Sequence, residues 1–167
     1  MGKVAVISGG SRGFGSVLIR ELLDDPDISV ASFSRSITPE INEIMNNSDV
    51  GPRFLFETID ITDSESVKRF VASVREQLGS VDILINNAGV ALHRVLALQE
   101  EDDIRRMLDI NLMGTATLTR ACVREMLATG WGRIVTVTSI AGKTGYRGLS
   151  AYSMTKAGLD GFTRSLS

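Results

Sequence analysis

Tyr152 and Lys156 stand one helical turn apart in the segment AYSMTKAGLDGF, and Ser139 lies a short loop upstream. Residues i and i+4 of a helix share a face, so a phenol and an ammonium can point into one site. A free phenol ionises near pH ~10, too high for proton transfer at neutrality. A neighbouring cation favours the phenolate and moves such a group toward the range where a general acid or base works. Tyr and Lys also meet at this spacing by chance in many helices, so the pair takes its weight from the rest of the chain.

A second group of residues with chemical content is the run Ser8-Gly9-Gly10-Ser11-Arg12-Gly13-Phe14-Gly15. It follows an apolar, β-branched stretch and opens an amphipathic one. In that position Gly9 allows a sharp turn, Gly13 lets backbone approach a ligand, and Gly15 lets a helix pack closely on a sheet. The helix that starts here offers free N–H groups to a pyrophosphate. The spacing is G-x3-G-x-G, and no G-x4-G-K-[ST] occurs, which argues against a P-loop ATPase or GTPase.

The elements that must position these groups are legible from periodicity. Apolar runs at 3–8, 28–33, 54–59, 81–85 and 133–138 read as strands. Between them lie helical patterns: Phe14, Val17, Leu18 and Leu22; then Ile41, Ile44 and Met45 after Pro39; then Val67, Phe70, Val71, Val74 and Leu78. Asp63 is placed to cap the third helix with Ser66 in its first turn, and Gly79 to end it. A long helical stretch covers 101–129 with a break near Asp109, and a last helix begins near Ser150. Strand and helix alternate five times. That predicts an α/β fold with a parallel sheet, right-handed crossovers and helices on both faces, doubly wound and Rossmann-like. One domain spans 1–167, without repeat, low-complexity tract or linker.

Composition excludes several classes. The chain has 167 residues, 43% hydrophobic and 23% charged, with a net charge of −2 and a pI near 5.4. No cluster of Lys and Arg suggests nucleic acid or an anionic membrane. No apolar run approaches the ~20 residues of a membrane span. Val6 stands where a myristoylation signal wants Ser or Thr, and the first strand starts too early to leave room for a signal peptide. Cys122 is the only cysteine and His93 the only histidine, so neither an internal disulfide nor a Cys/His metal cluster is expected. Cys122 reads as a buried filler, in keeping with a reducing, cytoplasmic setting. His93 reads as a loop residue, Gln99 to Asp103 as a solvated helix start, and Trp131 as either an exposed anchor or a cap over the sheet.

Taken in order, SGGSRGFG at 8–15, Asp60-Ile61, NNAG at 86–89, Asn111 in DINLMG, Ser139 in VTVTSIAG and Tyr152-Ser-Met-Thr-Lys156 resemble the short-chain dehydrogenase/reductase family. Within it the chain is most similar in appearance to the 3-oxoacyl-acyl-carrier-protein reductase branch. The resemblance implies that Tyr152 exchanges a proton with a carbonyl oxygen and that Ser139 hydrogen-bonds the same oxygen. It implies that Lys156 tunes Tyr152 and binds ribose, and that Asn111 holds a water linking Lys156 to solvent. It assigns a nicotinamide dinucleotide to Gly9, Ser11, Arg12, Gly13, Phe14 and Gly15, to Asp60 and Ile61 beside the adenine, and to Asn87, Ala88 and Gly89 beside the ribose, with Tyr152 and Lys156 at the nicotinamide end. Read alone, Asp60 is as well explained as a turn or capping aspartate, and Asn111 as a surface or kink residue in a helix.

The end of the second strand reads Ala31-Ser32-Phe33-Ser34-Arg35-Ser36, with no acid to hold a ribose 2′-hydroxyl. Arg35 and Arg12 suit a 2′-phosphate, with Ser34 adding a hydrogen bond, so NADP(H) is expected over NAD(H). The substrate implied is a small ketone or 3-oxoacyl compound, or the matching alcohol. Only Arg133 is basic in the turn before the fifth strand, which speaks weakly for an acidic carrier partner. A homo-oligomer follows by resemblance, through the long helix and the Tyr152 helix; Leu112, Met113, Leu118 and Met126 serve equally well as internal core. Relative to the family, the sequence stops at Ser167 two strands early, without the turn that receives the nicotinamide carboxamide and without the substrate lid. The fifth strand is then a sheet edge, and the alternative to an enzyme is a dinucleotide-binding module without turnover.

Overall fold

The computed structural model describes residues 2–166. Its centre is a sheet of five strands: β1 (Lys3–Ser8), β2 (Ile28–Ser34), β3 (Phe54–Thr58), β4 (Ile83–Asn86) and β5 (Arg133–Thr136). They lie in the order β3-β2-β1-β4-β5 and every pairing is parallel. Six helices connect or follow them: α1 (Gly13–Leu23), α2 (Pro39–Asn46), α3 (Ser64–Gln77), α4 (Glu101–Leu108), α5 (Thr115–Thr129) and α6 (Ser150–Arg164).

The expected doubly wound arrangement is present. One face packs Val67, Phe70, Val71 and Val74 of α3 and Leu118, Cys122 and Met126 of α5 against Val4, Val6, Ala31, Phe33 and Leu84. Phe33 and Phe70 meet edge to face with ring centroids 5.0 Å apart, a pair worth about 0.5–1.5 kcal/mol beyond burial. α6 joins this face, where Thr163 Oγ1 donates to Thr136 Oγ1 at 3.0 Å. The other face packs Ile19 and Leu23 of α1 and Ile41 and Ile44 of α2 against Ile7, Val30, Phe54, Phe56 and Ile85. β5 is the outer strand, and Val135 is 52% exposed on the α1 face of the sheet.

Local details depart from the sequence expectations in ways that have physical causes. The apolar spacing of α1 predicted an inward stripe of Phe14, Val17, Leu18 and Leu22. Leu18 and Leu22 do pack partly buried against the core, but Gly15, Ser16, Ile19 and Leu23 make the fully buried contact, and Phe14 is 59% exposed. The two small residues let the helix seat closely on the sheet, which turns Phe14 toward the cleft described below. Met45, expected with Ile41 and Ile44, lies on the exposed side of α2. β4 begins two residues late because Asp82 is spent on other partners: its carboxylate accepts from Val4 N and Lys3 Nζ, both at 2.9 Å. β5 ends at Thr136, and one further ladder bond, Val137 N to Asn86 O at 2.9 Å, extends its line. Trp131 is exposed, with Lys3 Nζ 3.8 Å and the Arg133 guanidinium 4.9 Å from its ring centroid, at the opposite end of the sheet from the glycine turn.

Two helix ends follow expectation. The Asp63 carboxylate accepts from Glu65 N, Ser66 N and Ser66 Oγ, and these bonds hold it below the usual carboxylate pKa, the Ser66 hydroxyl contributing most. Gly79 has φ +109, left-handed as a helix-terminating glycine should be. Cys122 lies fully buried, and desolvation, aided by the Glu125 charge, pushes its thiol well above the usual range. A thiol-reactive disulfide reagent at pH 8 should therefore label the folded chain at least about 100-fold more slowly than the chain in denaturant. Prompt labelling of folded protein would contradict this burial.

Candidate active site and cofactor cleft

A cleft of ≈ 580 Å³ opens at the carboxyl ends of the strands, beside the β1–β4 boundary where the strand order reverses. From the turn after β1 it is lined by Gly9, Ser11, Arg12, Phe14 and Gly15; from the end of β2 by Ser34 and Arg35; and after β3 by Asp60 and Ile61. Asn87, Ala88 and Gly89 line it after β4. Gly13 does not line it: its φ of +56 shapes the turn, and a side chain there would meet open space. Tyr152, Lys156, Ser139 and Asn111 are likewise absent from its walls.

The turn is packed to the limit of bare backbone. A Cβ on Gly15 would fall 2.4 Å from Gly9 O and 2.7 Å from Asn87 Nδ2, and one on Gly9, whose φ is +72, 3.0 Å from Ala88 Cα. Ser8, fully buried, staples the two strand ends by accepting from Asn87 N and Ala88 N, both at 3.0 Å, while Asn87 Nδ2 donates to Ser8 O and Gly9 O. The N-terminus of α1 has no side-chain cap and no acid in its first turn. Its free N–H groups, the glycine cradle and Arg12 together suit a pyrophosphate.

At the β3 side of the cleft, Asp60 Oδ1 accepts from Thr62 N at 3.0 Å and Thr62 Oγ1 at 2.8 Å. It is thus a turn aspartate that also lines the cleft. Ser34 Oγ donates to Ser36 O at 2.7 Å. Arg35 is exposed, in no ion pair among the described residues.

The second cluster is built around α6. Between α4 and α5 the chain forms one wide π-helical stretch, Asp109–Gly114, which is the physical form of the break expected near Asp109. It carries Asn111 inward, fully buried. Asn111 Nδ2 donates to Val90 O at 2.9 Å and to Thr155 Oγ1 at 3.0 Å, and Oδ1 accepts from Val90 N at 2.8 Å. Thr155 Oγ1 in turn donates to Tyr152 O at 2.7 Å. Asn111 thus ties the loop after β4 to the helix that bears Tyr152.

Lys156 is only 4% exposed, and its Nζ donates to Val137 O at 2.8 Å and lies 5.8 Å from the Tyr152 ring centroid. Burial lowers its pKa from the ordinary lysine value, because desolvation penalises the ammonium. An ammonium has three donors; Val137 takes one. Tyr152 is half-buried, and no protein hydrogen bond engages its hydroxyl among the described residues. Ser139 Oγ accepts from Ala141 N at 3.1 Å and caps the single turn Ile140–Gly142, which packs on α6 so tightly that a Cβ on Gly142 would reach 2.9 Å from Ala157 N. The bridge between the two clusters is Gly89, whose missing Cβ would stand 3.4 Å from Asn111 Oδ1 and 3.5 Å from Lys156 Nζ.

Comparison with known proteins decides the family. A family profile described as short chain dehydrogenase matches residues 3–167. The chain belongs to the short-chain dehydrogenase family. The 3-oxoacyl-acyl-carrier-protein reductase FabG of Pseudomonas aeruginosa is 34% identical over 167 residues, covering 99% of this chain and 66% of that protein. A solved short-chain dehydrogenase from Streptomyces avermitilis is 30% identical with a TM-score of 0.90, over 99% of this chain and 60% of that one. ElxO, solved with NADP bound, is 29% identical with a TM-score of 0.88, over 97% of this chain and 65% of that one. This short-chain dehydrogenase sequence therefore spans about two thirds of the length of the relatives it matches. Among the described residues no helix is long and apolar enough to cross a membrane, and no group of three His, Cys, Asp or Glu is arranged to hold a metal ion.

Sequence reasoning missed Ser8, Val90, Thr155 and Val137. They hold site residues in place through backbone or buried hydroxyl bonds, and only Ser8, a hydroxyl ending a buried strand, left any signal in the sequence.

Proposed function

We propose that the chain is the cofactor-binding and catalytic part of an NADP(H)-dependent oxidoreductase that reduces a ketone or 3-oxoacyl carbonyl, or oxidises the matching alcohol. The observation that carries the reading is the junction at Gly89, where the cleft lined by the glycine turn abuts Lys156 and Asn111. Similarity to 3-oxoacyl-acyl-carrier-protein reductase supports the reaction class, and the NADP-bound ElxO structure supports the cofactor.

A bound nicotinamide supplies the hydride; the protein supplies position and a proton. The first-turn N–H groups of α1 and Arg12 hold the pyrophosphate. Ile61 and Asp60 flank the adenine, and Asn87, Ala88 and Gly89 present backbone to the ribose. Lys156 turns its two remaining N–H donors to ribose hydroxyls while Val137 O keeps it aimed. Tyr152 gives the proton to the carbonyl oxygen, and the Ser139 O–H, not used by the cap it forms, steadies that oxygen as charge develops. The Asn111 side chain already serves Val90 and Thr155, so its main chain, in the widened π-helical stretch, is what holds a relay water near Lys156. The single buried thiol fits a cytoplasmic setting, and the outward methionines Met113 and Met154 fit burial against a second copy.

The test is incubation of the purified chain with NADPH and a ketone panel, followed by absorbance of the reduced nicotinamide. Turnover supports the proposal; none with any ketone rejects it. A second reading, a dinucleotide-binding module, is favoured by one observation: the walls of the cleft stop short of Tyr152 and Ser139. It predicts NADPH binding without turnover.

Arg35→Ala tests the cofactor assignment. It removes a cation from the wall nearest the end of β2, so NADPH should bind about tenfold more weakly and NADH within about twofold of wild type, by fluorescence titration. Tighter binding of NADH than NADPH to the unmodified chain would refute the NADP(H) preference.

A further inference from the structure

The chain is acidic overall, yet its charges are unevenly placed. Residues 83–98 and 126–159 contain no aspartate or glutamate, so all 20 carboxylate side chains lie elsewhere. These two segments meet in the loop that leads into α6. Arg94 N donates to Gly148 O at 2.9 Å, and the His93 ring lies against Gly148, 2.8 Å from where a Cβ would stand. Four residues on from Gly148 comes Tyr152 itself.

In the loop between β5 and α6 a hollow of ≈ 370 Å³ is lined by Thr138, Ser139, Ile140 and Lys143. It joins the hydroxyl assigned to the reacting oxygen to an exposed ammonium. Neither Lys143 nor Arg147 has an ion-pair partner among the described residues. Of the carboxylates that bracket the two segments, Asp82 is tied to Lys3 and Glu125 to Arg75. Glu100 heads α4 and Asp160 lies two turns beyond Tyr152, neither on the loops at this mouth. Cations without an ion-pair partner raise the positive potential beside Ser139.

We infer that the substrate is a small oxo acid whose carboxylate is held by Lys143 and Arg147 while its carbonyl faces Ser139 and Tyr152. The inference rests on the proposed reaction centre and adds the charge of what it accepts. The oxo acid gains two electrons and a proton as hydride from the reduced cofactor, which is oxidised. A second proton comes through Tyr152, and the carboxylate is unchanged in the hydroxy acid formed.

The test compares acetoacetate with its uncharged methyl ester, each with NADPH. The acid should show a kcat/KM about tenfold above the ester at low salt, and the advantage should shrink as sodium chloride is raised. Lys143→Gln should reduce the acid-to-ester ratio about three- to tenfold; Lys68→Gln, on α3, should not alter it. Equal use of acid and ester, or a ratio untouched by both Lys143→Gln and Arg147→Gln, overturns the inference. A readout without turnover separates this failure from failure of the proposed reaction. Saturation-transfer NMR with acetoacetate and NADP+ should show binding that is lost in the Lys143→Gln/Arg147→Gln double variant. Such binding upholds the anion site even where no ketone is turned over, and its absence overturns it. Reduction only of an acyl group carried on an acidic protein, with the free oxo acid neither bound nor reduced, also overturns it.

Discussion

Tyr152→Phe is expected to lower kcat for NADPH-dependent ketone reduction by about 10³-fold, while the NADPH dissociation constant stays within about threefold of wild type. The substitution deletes one oxygen. That oxygen makes no hydrogen bond within the described residues, so folding has nothing to lose, and the melting temperature should be essentially that of wild type. The ring remains to pack beside Lys156, 5.8 Å from its Nζ, and Lys156 keeps its bond to Val137 O. What disappears is the phenol proposed to transfer the proton, and the Ser139 hydroxyl ionises far too weakly to replace it. Lys156→Ala should behave differently: it empties a buried position as well as removing ribose donors, so binding, stability and turnover should fall together. Stopped-flow turnover, fluorescence titration and thermal melting distinguish the two patterns. A Tyr152→Phe variant that keeps a tenth or more of wild-type kcat would remove Tyr152 from the chemistry.

Much of this arrangement is legible in the sequence, for identifiable reasons. β1 and β2 lie in the sheet interior and are apolar on both faces, so a run such as KVAVIS has few alternatives. The glycine turn is legible because only bare backbone fits there. The facing of α1 is not, because spacing of large apolar residues marks a buried stripe only where contact is made by large residues. Here Gly15 and Ser16 make the closest approach, and Phe14 is released to the cleft. For Asp60 the competing readings merge, since one carboxylate both closes the Thr62 turn and lines the cleft. For Asn111 the kink is what the structure shows: the π-helical stretch swings its amide to Val90 and Thr155. Partners such as Val90 O and Val137 O act through main-chain atoms, which every residue type carries, so no side-chain pattern announces them.

Gly15 and Gly13 stand in one turn but differ in what a side chain there would meet. Gly15→Ala is expected to abolish NADPH binding, weakening it at least about 100-fold, and to destabilise the fold by about 1–3 kcal/mol or more. Its new methyl would lie 2.4 Å from Gly9 O and 2.7 Å from Asn87 Nδ2. The first is backbone, held in a turn whose N–H groups bond to Phe33 O, so it yields only by moving β1 relative to α1. The second is the amide that ties Asn87 to Ser8 and Gly9, so the β4 side of the cleft opens as well. Gly13→Ala places its methyl in open space and has only the left-handed φ of +56 to overcome, a cost of about 1–2 kcal/mol. It should weaken NADPH much less than Gly15→Ala does. Asn87→Ala should fail to rescue Gly15→Ala, because it relieves the side-chain contact and leaves the Gly9 carbonyl where it was. Titration and denaturant melts of the three variants check the order. Near-normal binding in Gly15→Ala would mean that the turn does not hold the pyrophosphate.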